Sequence, residues 1–378
     1  VALLFFVNGA VIGSWLPRLP EIRDRLGIDL RTLGLTLALG GLGSLAGSSI
    51  SGLVVGRIGA RRAAVISAVF LYLLLPLISV APTAIVLAAV LATMGFIDSQ
   101  ADVGMNAVGI RVEQAVGRSI MTRLHGLWSL GTLIGSGASA LAVLAGVDLL
   151  PLLVVLAVVG VATALGAARL VPESPPRPRV GSRSGSLAVG LMLAGGTAVF
   201  IEGAPFDWGA IFLIDVTGAG AALAGAAVIL YTGGMLIGRL GGDHLVDRFG
   251  SVPTLFTGLV LAVAAMLLVV VSQVSPLALV GFSIWGLGIS VALPVLYKLA
   301  GGHHSFAEGS GLAALTVGTR LGFMVSPALV GAAATTWNLP TALAVVVGVA
   351  AVASMITIRL TLGDAQSLRD SLPGSGVS

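Results

Sequence analysis

The sequence has no cysteine, so neither a disulfide framework nor a thiolate metal site can form, and four histidines leave little for metal chemistry. Charge is scarce too: 10% of the 378 residues are Asp, Glu, Lys or Arg, against about 25% in soluble domains. No phosphate-binding P-loop occurs, which excludes ATP-driven work by this chain alone. The short polar stretches place no nucleophile beside a base and gather no metal ligands, so neither an enzyme nor a cofactor is expected. None of them is long enough for a soluble output domain, which counts against a receptor or sensor.

What is present is apolar length. Hydrophobic residues make up 57% of the chain, mean hydropathy is +1.07, and apolar runs of about 20 residues recur throughout, each enough to cross a bilayer as a helix. The expected fold class is an all-α membrane protein with lipid as its solvent. The net charge of +4 and pI near 10.3 do not imply a nucleic-acid partner, because the basic residues sit in short loops without interleaved aromatics.

The chain opens at Val1 without Met, and its first apolar run lasts only sixteen residues before Pro17, which implies that residues precede it. It is not a signal peptide, since the sequence continues into further apolar runs. A charged loop is expected from Arg18 to Arg31. Span two, about Leu33 to Val55, carries Gly43, Gly47 and Ser51 at four-residue spacing, the small-residue pattern of a helix interface, and is expected to meet span eleven across Gly318 and Gly322. Its GGLGSLAG approximates a dinucleotide glycine pattern but lacks the strand that such a loop needs. Span three runs to about Val80, a turn follows at Pro82, and spans four, five (from Met121) and six (from Leu149) complete the first half, residues 1–171. PESPPRPRVGSRSGS, at 172–186, reads as a solvated linker. Six further spans are expected near 187–214, 221–241, 252–273, 276–299, 309–334 and 339–358, forming a second half at 187–360 before a tail at 361–378.

With twelve spans both ends lie on one side. The even-numbered loops, linker and tail hold fifteen of the twenty basic residues, so the positive-inside rule places linker and termini in the cytoplasm of a cell whose inner membrane holds the protein. The halves also repeat. SGLVVGRIGARR from Ser51 aligns with GDHLVDRFGSVP from Gly242, NGAVIGSW from Asn8 with EGAPFDW from Glu202, and LGTLIG from Leu130 with VGTRLG from Val317. Three matches in the same order at nearly one offset indicate duplicated six-helix lobes.

One stretch organises the rest: GFIDSQADVGMNAVGIRVE, from Gly95 to Glu113. Asp98, Asp102 and Asn106 recur every fourth residue and share one helix face. A charge at bilayer depth costs roughly 3 kcal/mol or more, so this face must look at protein or at a water-filled path.

On these features the chain resembles the major facilitator superfamily over essentially its whole length. The loop after the second span of each lobe, usually G-x-L-x-D-R-x-G-R-R, is matched by Gly52, Leu53, Arg57, Gly59, Arg61 and Arg62, with Gly56 where the family has Asp. In the second lobe Asp247, Arg248 and Gly250 match, while Asp243 replaces the first Gly. The run from Asp102 to Gly131 is also similar to bacterial members near the fucose permease type. The resemblance implies two pseudo-symmetric lobes that rock about a midplane site lined by spans one, four, seven and ten, with these loops as gates. On those spans lie Asn8, Ser14 and Trp15; Asp98, Asp102 and Asn106; Glu202, Asp207 and Trp208; and Trp285 and Ser290.

Desolvation lets a carboxylate at that depth take up a proton near neutral pH. Asp98, Asp102 and Glu202 are therefore the proton-coupling candidates, and Asn8, Trp15, Asn106, Trp208, Trp285 and Arg320 the substrate-binding ones. Blander readings stand beside these. Asp98 and Asp102 can be locked to Arg111, Arg320 or backbone donors, and Glu202 with Arg320 can be a structural ion pair. Asp207 is expected near the outer mouth. His125 either packs or joins a proton path through Glu113, and His303 and His304 face water rather than a metal. Trp15, Trp128, Trp208 and Trp285 are either interfacial belt residues or, at the matched Trp15 and Trp208, rings for a sugar face. The expectation is a monomeric, proton-coupled secondary transporter for a small polar solute, a sugar or polyol ahead of others. The alternative is a proton-antiporting exporter of amphipathic compounds.

Overall fold

A computed structural model describes residues 1–116, 120–170, 186–302 and 310–370; the linker expected at 172–186, except for its last residue, and the pair His303 and His304 lie outside these. Among the described residues twelve helices are long and apolar enough to cross a bilayer, and no strand occurs. Spans one to six are Ala2–Leu26, Leu30–Ile58, Ala60–Val80, Ala84–Glu113, Arg123–Leu144 and Leu149–Arg169. Spans seven to twelve are Ala188–Asp215, Ala221–Gly242, Ser251–Val271, Ser275–Tyr297, Ala314–Thr336 and Leu339–Arg359.

The charged loop expected from Arg18 to Arg31 is mostly helix. Pro17 and Pro20 stand in first-turn positions, where a missing N–H costs nothing, and the chain passes from Ala2–Trp15 through one 3₁₀ turn into the helix Leu19–Leu26. Glu21 in its first turn and Arg23 and Arg25 in its last complement the helix dipole, and Gly27, at φ 61°, ends it. Two residues later Asp29 Oδ1 accepts from the Thr32 N–H at 2.8 Å and caps span two. That bond holds the Asp29 carboxyl below its usual range.

Helices in lipid gain nothing from hiding apolar surface, so close van der Waals approach at small residues decides their packing. The pattern is the same in both halves. Methyl groups added at Gly43 and Gly47 of span two would run into the backbone of span four at Ala92 and Phe96; at Gly234 and Gly238, 191 residues on, they would run into span ten at Ser283 and Leu287. Gly131 and Gly135 of span five press on Phe6 and Ala10 of span one, and Gly318 and Gly322 of span eleven press on Met192 and Gly196 of span seven. Gly59 and Gly250, which join the second span of each lobe to the third, share one left-handed backbone, φ 87° with ψ 151° and 161°. The chain therefore folds as two pseudo-symmetric six-helix lobes.

Spans two and eleven do meet, but not through the residues expected. Gly43 and Gly47 face their own lobe, and so do Gly318 and Gly322. The cross-lobe seam uses Gly34 and Gly41 of span two against Pro327 and Met324 of span eleven, and Gly331 against Leu30. A second seam sets Gly225, at the start of span eight, against Pro17 and Ala140. Arg23 adds an ion pair to Asp215 with both terminal nitrogens, the longer bond at 3.0 Å. All these contacts lie in the half of the bundle that carries the connection between spans one and two. At the opposite end, Gly52, Gly126 and Gly241 have open space among the described residues. The described glycine seams between the lobes are thus gathered at one end of the bundle.

Candidate functional site

Span four reaches mid-bundle with Asp98, Asp102 and Asn106 on one face, and each has a named partner. Asn8 of span one donates from Nδ2 to Asp98 Oδ1 at 2.8 Å, and the Trp128 indole N–H of span five donates to Asn8 Oδ1 at 2.8 Å. The two neighbours settle which way the amide points: only its oxygen can receive an indole proton, and only its nitrogen can serve a carboxylate. Trp128 is therefore a hydrogen-bonding residue of the site and not a membrane-belt residue.

One turn on, Asp102 Oδ1 accepts from Asn106 Nδ2 at 2.8 Å, and Asp102 Oδ2 accepts from Arg320 Nη2 at 2.7 Å. Arg320 comes from span eleven, in the other lobe, so this ion pair spans the gap between lobes. Its guanidinium is 10% exposed and the Asp102 side chain 35% exposed. Arg320 also acts electrostatically on Asp98, so two carboxylates share one guanidinium and the cluster is one negative charge in excess when both are ionised. Arg320 Nε is buried without a hydrogen-bond partner.

Glu202 does not pair with Arg320. Its partner is Arg239 of span eight, at 3.1 Å from Nη2 to Oε1, with both side chains 7% exposed. Arg239 crosses to the other lobe through Nη1, which donates to Ser129 Oγ of span five at 2.5 Å. Tyr231 donates to the Glu202 carbonyl at 2.7 Å. Glu202 Oε2 and Arg239 Nε are buried and have no hydrogen-bond partner. The sequence reading did not single out Arg239, although the span expected near 221–241 contains it. The helix continues to Phe249, and the span to Gly242, which puts Arg239 inside the apolar run. A lone arginine in LIGRLGG was the available signal.

The remaining candidates separate cleanly. Trp15, Trp208 and Trp285 are buried, at 6%, 0% and 0% exposure, which removes them from a lipid-facing belt; each indole N–H lacks a hydrogen-bond partner. Asp207 is half-buried, two turns before the end of span seven. His125 packs edge-on against Phe5 at 5.2 Å. Glu113 caps the next helix, accepting from the N–H groups of Ile120 and Met121 at 2.7 and 3.0 Å. In the gate loops Gly52, Arg57, Asp247, Arg248 and Gly250 are exposed, Gly59 and Arg61 half-buried, and the Asp243 side chain lies outside the described residues.

Twelve spans in two repeated lobes meet over mid-bundle charges. The family model described as Major Facilitator Superfamily matches residues 206–375. An uncharacterized MFS-type transporter of Yersinia pestis is 28% identical over 334 residues, 87% of this chain and 86% of its own. The membrane protein MosC of Rhizobium meliloti is 26% identical over 95% of this chain and 88% of its own. In fold the chain is similar to the crystal structure of the nucleoside transporter NupG, with a TM-score of 0.75 at 13% identity, covering 95% of this chain and 97% of that one. It is also similar to a bacterial homolog of the human lysosomal transporter Spinster in an inward-facing, unoccupied conformation, with a TM-score of 0.66 at 14% identity over 99% and 97%. The chain is thus similar over most of its length to transporters of the major facilitator superfamily, and that family's model matches much of its second half.

Proposed function

We propose that the chain moves a small polar solute, a sugar or a polyol, across the inner membrane by alternating access coupled to protons, with linker and termini in the cytoplasm and one chain as the working unit. The carrying observation is the unequal pairing of the mid-bundle carboxylates. Glu202 has Arg239 and Asp102 has Arg320, whereas Asp98 receives a hydrogen bond from neutral Asn8. A carboxylate without its own cation at that depth takes up and gives back a proton most readily. Because the Asp102–Arg320 pair joins the lobes, protonation beside it changes what holds them together. On this assignment of sides the end at which the glycine seams close faces away from the cytoplasm.

A polar solute is favoured over an amphipathic one because the facing helices present hydrogen-bonding groups, among them Asn106, Ser129 and Arg239, where an exporter of apolar compounds needs a wide apolar pocket. The test uses proteoliposomes with an internal pH dye, screened across sugars, polyols and drugs. Asp98→Asn keeps shape and hydrogen bonding but cannot titrate, so it is expected to abolish uphill accumulation and leave solute counterflow intact. Accumulation against a gradient by this variant would rule Asp98 out as the proton carrier. Loss of both activities would make it a solute ligand or a structural group.

A further inference from the structure

The mid-bundle charges form two clusters of different electrical character. Asp98, Asp102 and Arg320 carry one negative charge in excess. Glu202 and Arg239 balance each other, and neither needs a proton to be neutral as a pair. The balanced pair is nonetheless incompletely satisfied. Glu202 Oε2 and Arg239 Nε, in residues 5% and 8% exposed, have no hydrogen-bond partner, and the Arg239 bond to Ser129 reaches a hydroxyl of the opposite lobe. A buried polar atom left unpaired costs free energy that a hydrogen-bonding guest recovers.

We propose that Glu202, Arg239 and Ser129 form the solute-binding subsite, that it takes an uncharged polyhydroxylated solute, and that the proton is handled separately at Asp98 and Asp102. This rests on the reading of the chain as a polar-solute transporter and moves Glu202 from the proton path to the solute site. The chemistry follows from the unsatisfied atoms. One is an acceptor and the other a donor, and a hydroxyl is the smallest group that serves both. An anionic solute would find the guanidinium already neutralised by Glu202, and a cationic one would find the carboxylate already neutralised by Arg239. Ser129 gives the coupling to motion: Arg239 holds it in the present arrangement of the lobes, and when spans five and eight separate, the freed Nη1 turns to a solute oxygen.

The test compares four solutes of one carbon skeleton length, the neutral glucose and sorbitol, the anion gluconate and the cation glucosamine, as ligands in thermal unfolding of the reconstituted full chain. Glucose or sorbitol is expected to stabilise the wild type and the lipid-facing control Thr163→Ala, and the two charged solutes are not. In Glu202→Gln, the concentration needed is expected to rise at least tenfold. Because a single charge removal can stop the chain folding, the paired variant Glu202→Gln/Arg239→Gln, which removes both charges together, is measured beside it and is expected to show the same loss. An unchanged concentration dependence in whichever of these variants folds overturns the proposal. So does an equal response to gluconate or glucosamine, or no response of the wild type to either neutral solute. Uphill accumulation by Asp98→Asn would sink the proton assignment alone and leave this binding result standing.

Discussion

Gly40 and Gly41 are neighbours on span two, yet a methyl group at each should have opposite consequences. At Gly41 the added carbon would sit 2.5 Å from the Met324 Cα and 2.6 Å from its nitrogen, backbone atoms of span eleven in the other lobe. Ordinary carbon contacts lie at about 3.5–4.0 Å, so the two helices must part by roughly 1 Å. Overpacking of that kind costs about 1–3 kcal/mol. The seam exists only while the lobes are closed at this end, so the cost falls on that arrangement and favours the other by roughly 5- to 150-fold, at 1.4 kcal/mol per factor of ten. At Gly40 the same carbon would lie 3.5 Å from the Leu91 carbonyl oxygen of its own lobe, an ordinary contact.

Leu37, 8% exposed and one turn from Gly41 on the seam face, reports the change. The chain has no native cysteine, so Leu37→Cys gives a single thiol. Its rate of reaction with a water-soluble maleimide measures the population in which the seam is open. Gly41→Ala is expected to raise that rate by the factor above and Gly40→Ala to leave it unchanged. Equal rates in all three backgrounds, with the protein folded, would refute the assignment of this seam as a moving contact.

Arg23→Ala removes the exposed ion pair to Asp215 at the same end. Such pairs contribute about 1 kcal/mol or less, so the Leu37→Cys rate should rise no more than about fivefold, and the difference should fade in high salt. Asp29 caps span two with its carboxyl held below the usual range, so its contribution is full above the unfolded-state value and lost as pH falls through the folded one. Asp29→Ala should cost roughly 1 kcal/mol in thermal unfolding at neutral pH, whereas Asp29→Asn should keep the cap and lose that acid dependence. A cysteine at Ser182, within the basic linker, should resist an impermeant reagent in right-side-out vesicles; labelling there would reverse the assigned topology.

Bilayer thickness and the cost of unpaired backbone groups act on each segment separately, so composition and apolar run length sufficed to read twelve helical spans, with boundaries close to those observed. Duplication was legible for a similar reason: Gly43 and Gly234, or Gly131 and Gly318, repeat because each half solves one packing problem with the same small residues. The mid-span carboxylates announced themselves by their cost in lipid. Partners were another matter. Pairing of Arg320 with Asp102, and of Glu202 with Arg239 and not Arg320, depends on how helices from different parts of the chain rotate against one another. A rotation of one residue along a helix turns a side chain by 100°, which is why Gly41 faces the opposite lobe while Gly40 and Gly43 face their own. Local pattern carries no record of that rotation. The charged stretch after Pro17 became helix, and Trp208 and Trp285 went to the interior rather than the lipid surface, for the same physical reason: each is decided by neighbours that only the assembled bundle brings within reach.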